Sequence, residues 1–384
     1  MKKLLFLLAI LLAFTAGGFS VYQFLFASQR IEVRKQLKAF KPNKLSSASS
    51  QPKAKNVILL IGDGMGLAQV SAGMAINNNS LQLERCSHTG LMKTQADGQY
   101  ITDSAAGATA MACGEKTKNK RIAMSTDGRA IETILEIAEK QGMSTGLIAS
   151  SSITHATPAA FIAHQKNRNS HEAIAEDFLK TDIDVVIGGG MNFFRQREDQ
   201  KDLTASLKTS GYAIFESLEE AKKAPASKFY ALCAGEHLPS IPDGRGEFLK
   251  QSLELAITNL SQNEKGFFLM AESSQIDWAG HNNDAEYLIS ELLDFDQSIA
   301  KVLDFAAQDS QTLVIITADH ETGGMSLADY DDVENSLDIR FSSLSHTPIM
   351  VPVFAFGPGA ESFTGIFDNT EIFYKMMAAL GLSN

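Results

Sequence analysis

Seven short, largely apolar runs separated by helical patterns constrain this sequence more than any other feature. They fall at 57–61, 145–149, 185–187, 229–233, 267–271, 313–317 and 351–356. Strand-length runs without polar alternation are those of strands buried on both faces, as in a parallel sheet. Helical patterns occupy 129–141, 170–179, 247–260 and 284–307. The alternation predicts an α/β chain. Its form is a three-layer sandwich, with a mostly parallel central sheet and helices on both faces. Right-handed crossovers would distribute the helices to the two sides.

The first 44 residues stand apart from this body. They hold eight Lys or Arg and one Glu. The rest of the 384-residue chain holds 26 basic and 44 acidic residues, a net charge of −18. An acidic body argues against nucleic-acid binding, which needs a basic footprint. It suits a protein that gathers cations. Lys2 and Lys3 precede a 23-residue apolar run from Leu4 to Phe26, long enough to cross a bilayer. Residues 1–27 are therefore read as an export signal or a membrane anchor. That predicts an exported protein, in the periplasm or on the outer face of the membrane. Cleavage chemistry is weak, so both fates fit. Residues 28–55, rich in Lys, Ser, Ala, Gln and Pro, read as a linker. Residues 56–384 read as one domain. Cys86, Cys113 and Cys233 lack metal-type spacing. An exported chain could pair two of them, and Cys113, among small residues, reads as a buried thiol.

In open α/β sheets, ligands bind beyond the carboxyl ends of the strands. Asp63 follows the first run and Glu272 the fifth. Asp319 and His320 follow the sixth, and His155 and Thr157 follow the second. Gathering several carboxylates at one buried edge is prohibitive unless cations neutralise them. Asp277 and His281 add a carboxylate and an imidazole at i, i+4 spacing, on one face of a helical turn. His346 lies just before the last run. Mixed Asp/His ligation suits zinc, and all-oxygen ligation suits magnesium.

Ser104 opens a run of small residues after a polar turn, where a helix start would offer free N–H groups to a phosphate. A plain helix N-cap accounts for the same pattern. No G-x-S-x-G elbow surrounds the serine, so its activation would have to come from a metal. Arg168 could clamp phosphate oxygens, although sequence alone favours a solvated helix-end arginine. The glycines of Gly62-Asp63-Gly64-Met65-Gly66 follow a strand, as in a dinucleotide site. The last glycine of that fingerprint is missing, and Asp63 would face the pyrophosphate.

Taken together, Asp63-Gly-Met-Gly66, Asp103-Ser-Ala105, His155-Ala-Thr-Pro158 with Arg168, Glu272 through Asp277 to His281, Asp319-His-Glu-Thr-Gly-Gly324 and His346 resemble the alkaline phosphatases. The resemblance runs from about residue 56 to the C-terminus. It implies hydrolysis of phosphate monoesters through a phosphoserine on Ser104, with Arg168 on the phosphoryl oxygens. It implies two zinc ions and one magnesium per subunit. Asp277, His281 and His346 would hold one zinc, and Asp63, Asp319 and His320 the other. Asp63, Thr157 and Glu272 would hold magnesium. His155 and Trp278, near the phosphate and the third metal, stand where some members carry Asp and Lys. The resemblance further implies a homodimer, but the segment Met325–Ser345 leaves room for only a small crown-like insertion. A phosphodiesterase of the same superfamily, and an exported metal- or phosphate-binding protein without catalysis, are the alternatives.

Overall fold

The computed structural model describes residues 29–32, 53–224, 226–331 and 336–382. The expected export signal or anchor at 1–27 lies outside the described residues, as does most of the expected linker. Ten strands form the central sheet. They are β2 (Asn56–Gly62), β3 (His88–Lys93), β4 (Ser144–Ser152), β5 (Val185–Gly189), β6 (Ala213–Phe215), β7 (Phe229–Leu232), β8 (Phe267–Ser273), β9 (Thr312–Thr317), β14 (Val351–Phe356) and β15 (Gly365–Asp368). Their spatial order is β15-β3-β14-β9-β2-β8-β4-β5-β7-β6. Only β14 runs against its neighbours, β3 and β9. Helices cover both faces, so the predicted three-layer sandwich is the observed fold.

Every residue of β2, β8 and β9 is buried, as unbroken apolar runs demand. The strands missed by the sequence reading are short or lie toward the sheet edges. In β3 buried positions alternate with exposed ones, which leaves no apolar run to find. The helix expected from residue 129 begins at Ile134. Thr133 caps it, with Glu136 completing a capping box, so the helix starts where its free N–H groups find partners. The helix expected over 170–179 is Ala-poor at its end and tightens into a 3₁₀ turn, Phe178–Lys180, after His171–Asp177.

The segment 325–345 contains β11 (Ser326–Asp331) and β12 (Ser336–Arg340), which pair antiparallel. The third strand of this small sheet is β1 (Gln29–Glu32), paired to β12. Four residues of the expected linker are thus built into a sheet. Two further strands, β10 (Glu321–Thr322) and β13 (His346–Thr347), pair so that Thr322 lies opposite His346. Among the described residues no helix is long and apolar enough to cross a membrane. Cys86, Cys113 and Cys233 are all unpaired, and burial pushes the Cys113 thiol well above its ordinary range.

Candidate active site

The three central strands end side by side, and their carboxyl ends carry the acidic residues. Asp63 follows β2, Glu272 lies near the end of β8, and Asp319 and His320 follow β9. Thr157 lies on the short helix Ala156–Ala159 beyond β4. All five side chains are fully buried. Gly64 makes this convergence possible. Its φ of +77° is left-handed, and a Cβ there would sit 2.7 Å from the Asp277 Cα. The glycine motif at 62–66 thus serves close packing beside Asp63.

Several of these buried atoms have no hydrogen-bond partner among the described residues. They are both Asp63 carboxylate oxygens, Glu272 Oε1, Asp319 Oδ2 and Thr157 Oγ1. Unpaired buried oxygens on this scale are costly unless something neutralises them. Without a cation, burial first, and then Asp319, Asp277 and Glu272, hold the Asp63 carboxyl well above the usual carboxylate range. Burial likewise raises Glu272 to about 7 and raises Asp319. Burial, reinforced by His346, keeps His320 neutral. Its Nε2 lies 3.4 Å from Asp63 Oδ1 and 3.2 Å from Asp319 Oδ2.

A second group lies further out. His281 Nδ1 is 2.7 Å from the Leu344 carbonyl, and His346 Nδ1 is 2.8 Å from the Thr102 carbonyl. Carbonyls only accept, so each Nδ1 carries the proton and each Nε2 presents a bare lone pair. Those two Nε2 atoms face each other at 3.1 Å, and lie 3.4 and 3.5 Å from Asp277 Oδ1. Three potential ligand atoms converging at these distances could hold a cation.

Three sets of atoms lie close enough to share an ion. They are Asp277–His281–His346, Asp63–Asp277–His320 and Asp63–His155–Glu272. The first is the zinc set expected from sequence. In the second Asp277 takes the place expected of Asp319, whose Oδ2 nevertheless lies 3.2 Å from His320 Nε2. The third brings in His155, which the sequence reading had kept outside the ligands. His155 Nδ1 has no partner among the described residues, and burial, then Arg168, hold the ring neutral.

Ser104 is the first residue of the helix Ser104–Cys113, and Asp103, not Ser104, is its N-cap. The Asp103 side chain accepts from the Ala106 N–H, which frees the Ser104 hydroxyl. Ser104 Oγ lies 3.3 Å from His320 Nε2. Arg168 is not a solvated helix-end residue. Its Nη1 donates to Asp103 Oδ2 and its Nη2 lies 3.3 Å from His155 Nε2. Asp103 therefore caps the helix that Ser104 opens and aims the arginine. Trp278 stands edge-on to His155, with ring centroids 6.1 Å apart.

Sequence reasoning missed His237. Its ring packs edge-on against both Trp278, at 4.8 Å, and His155, at 6.0 Å. Its Nδ1 accepts from the Ser152 N–H. No local pattern marks this residue, because it reaches the site from the loop after β7. Glu321 was also missed. It accepts from Gln69 Nε2 and the Met325 N–H, and so fixes the chain just beyond His320.

A parallel α/β sandwich with a serine, an arginine and inward-facing ligand atoms at its strand ends defines a metal-binding hydrolase. The family model described as Alkaline phosphatase matches residues 54–337. Alkaline phosphatase 3 of Bacillus subtilis is 34% identical, with 86% of this chain and 90% of the relative covered. The alkaline phosphatase of Escherichia coli is 30% identical, with 88% of each covered. The solved alkaline phosphatase of the Antarctic bacterium TAB5 superposes with a TM-score of 0.83 at 43% identity, covering 87% of this chain and 99% of that one. This chain belongs to the alkaline phosphatase family.

Proposed function

We propose that the protein hydrolyses phosphate monoesters through a phosphoserine on Ser104, with two zinc ions and one magnesium bound at the strand ends. The observation that carries this reading is Ser104 Oγ, 3.3 Å from His320 Nε2, at the start of a helix and beside buried carboxylates that lack partners. Asp277, His281 and His346 would hold one zinc, and Asp63, Asp319 and His320 the other. Asp63, Thr157 and Glu272, with His155 beside them, would hold the third ion. When bound, these cations supply Lewis-acid stabilisation to the oxygens on which charge develops.

The chain's own residues do the rest. Ser104 Oγ attacks phosphorus as the bond to the alcohol oxygen breaks. The serine's proton leaves to solvent, and the departing alkoxide is protonated from it. Water then attacks the phosphoserine, which frees inorganic phosphate and restores the hydroxyl. Throughout, the N–H groups at the helix start and the Arg168 guanidinium bind the phosphoryl oxygens. Asp103 limits Arg168 to orientations that face Ser104, so little ordering remains to be done on binding.

The test is hydrolysis of a chromogenic monoester and a diester by the full chain, with metal content measured before and after chelation. Monoester hydrolysis that vanishes on chelation and returns with zinc plus magnesium is expected. Intact-mass analysis should then show a phosphoryl adduct that Ser104→Ala abolishes. Preference for the diester would favour the phosphodiesterase reading, and metal uptake without hydrolysis the binding-protein reading.

The third site has its own test. A TAB5 variant carrying Glu in place of a histidine holds magnesium in its M3 site. His155→Asp should likewise raise magnesium affinity here, by placing an anion beside Asp63 and Glu272. Export and dimerisation belong to the same reading. Exposed apolar side chains such as Leu67, Tyr100 and Met350 fit burial against a second copy. Light scattering and cell fractionation test these two points.

A further inference from the structure

We propose that the Thr322 hydroxyl positions one ligand of each zinc set at once, and so couples the two sites. The proposal rests on the zinc reading above. Thr322 is fully buried on β10. Its Oγ1 donates to Asp277 Oδ1 and lies 3.1 Å from His320 Nδ1. A hydroxyl has one proton to give, and an ionised carboxylate can only accept it. The oxygen must therefore accept from His320 Nδ1–H. That fixes the tautomer of His320 and leaves its Nε2 lone pair facing Asp63, Asp319 and Ser104.

The same proton holds Asp277 Oδ1, the atom that faces His281 Nε2 and His346 Nε2. One oxygen thus orients an inner ligand and an outer one. The other two histidines hold their Nδ1 protons on backbone carbonyls, Leu344 and Thr102. Only His320, of the three, depends on a side chain that substitution can remove.

The hydroxyl's place is tightly built. A Cβ at Gly64 would lie 2.9 Å from Thr322 Oγ1, and one at Gly280 would lie 3.0 Å from Thr322 Cβ. Gln69 Nε2 donates to the Thr322 carbonyl at 2.9 Å, and the Thr322 N–H donates to the Gly64 carbonyl. Opposite Thr322 in the β10–β13 pair stands His346 itself. The threonine cannot shift without moving ligands of both sets.

Thr322→Val keeps the shape and removes the hydroxyl. His320 Nδ1–H then has no acceptor in a dry interior, and its proton can pass to Nε2, closing the ligand lone pair. Asp277 loses its donor at the same time. Competition with a chromophoric chelator on the metal-stripped full chain should show both zinc affinities falling together, by about 10–100-fold. Thr322→Ser should keep both affinities. In kinetics the valine variant should lose kcat at limiting zinc, recover it in excess zinc, and hold KM nearly constant.

Wild-type affinity in the valine variant overturns the proposal. So does weakening confined to one zinc, or a serine variant as weak as valine. A wild-type chain that takes up no zinc overturns the reading of the site itself. Should valine prevent folding by circular dichroism, Thr322→Ala replaces it in the comparison with serine, on the same criteria.

Discussion

The inner and outer halves of the ligand cluster are built differently. Asp63, Glu272, Asp319 and His320 sit at or just beyond the ends of three adjacent, fully buried strands. Their backbone is fixed by the sheet, and their side chains have no solvent. Asp277, His281 and His346 sit on a seven-residue helix and a two-residue strand. There His281 and His346 are half-buried, and carbonyl tethers aim their rings. Burial dominates the inner half, and hydrogen bonds to backbone carbonyls orient the two outer histidines. A fully buried inner group suits a tightly held ion, and a half-buried outer group suits one open to exchange with solvent.

The largest effect is expected where the inner half meets Ser104, 3.3 Å from His320 Nε2. Ser104→Ala should lower kcat by roughly 1000-fold or more, the scale on which loss of a reacting group is felt. It should leave zinc content unchanged, which separates loss of chemistry from loss of metal. Asp319→Ala should cost at least about 100-fold in activity and lose the inner zinc, since removing a ligand exceeds the 10–100-fold cost of removing a ligand's partner. A variant that keeps its full zinc content would break the distinction between the two halves.

His281→Ala should act more mildly. Excess zinc should restore much of its activity, because the outer histidines are only half-buried. The same contrast predicts the order of chelation. Metal analysis during slow chelation should show the outer zinc lost first, and simultaneous loss would argue that the halves behave as one.

The smallest expected effect uses a carboxylate that burial shifts but no cation needs. Asp296 accepts from the Gln82 and Leu83 N–H groups, and burial pushes its carboxyl up to about 7. A raised folded pKa means the neutral form is favoured in the native state. This contribution is fully present below about pH 4, the unfolded value, and is lost as pH rises through about 7. Asp296→Asn should flatten that part of the fall in denaturation midpoint between those limits. An unchanged slope would place the pH dependence elsewhere.

The comparison of halves also marks where sequence reasoning succeeds. The inner ligands were legible because each follows an apolar strand, and strand ends of a parallel sheet converge by construction. Asp277 and His281 were legible from helical spacing, but the carbonyl partners that aim the histidines were not. Backbone acceptors carry no residue identity. Arg168 illustrates the limit: its local context is that of a solvated cation, and only the approach of Asp103, 65 residues earlier, makes it part of the site. The helix over 134–140 began later than its periodicity suggested, because the capping box at Thr133 and Glu136 outweighed the pattern.

What the sequence determined by itself was the layer architecture, the strand ends that gather acid, and the need for cations to neutralise it. Those follow from apolar period and charge, which are local. Only the tertiary structure decided that Asp277 stands beside Asp63, that His155 turns toward Glu272, and that His237 and Thr322 reach the site. Each of these is a meeting of atoms from distant segments. Packing distances of a few ångströms fix such meetings, and no run of neighbouring residues encodes them alone.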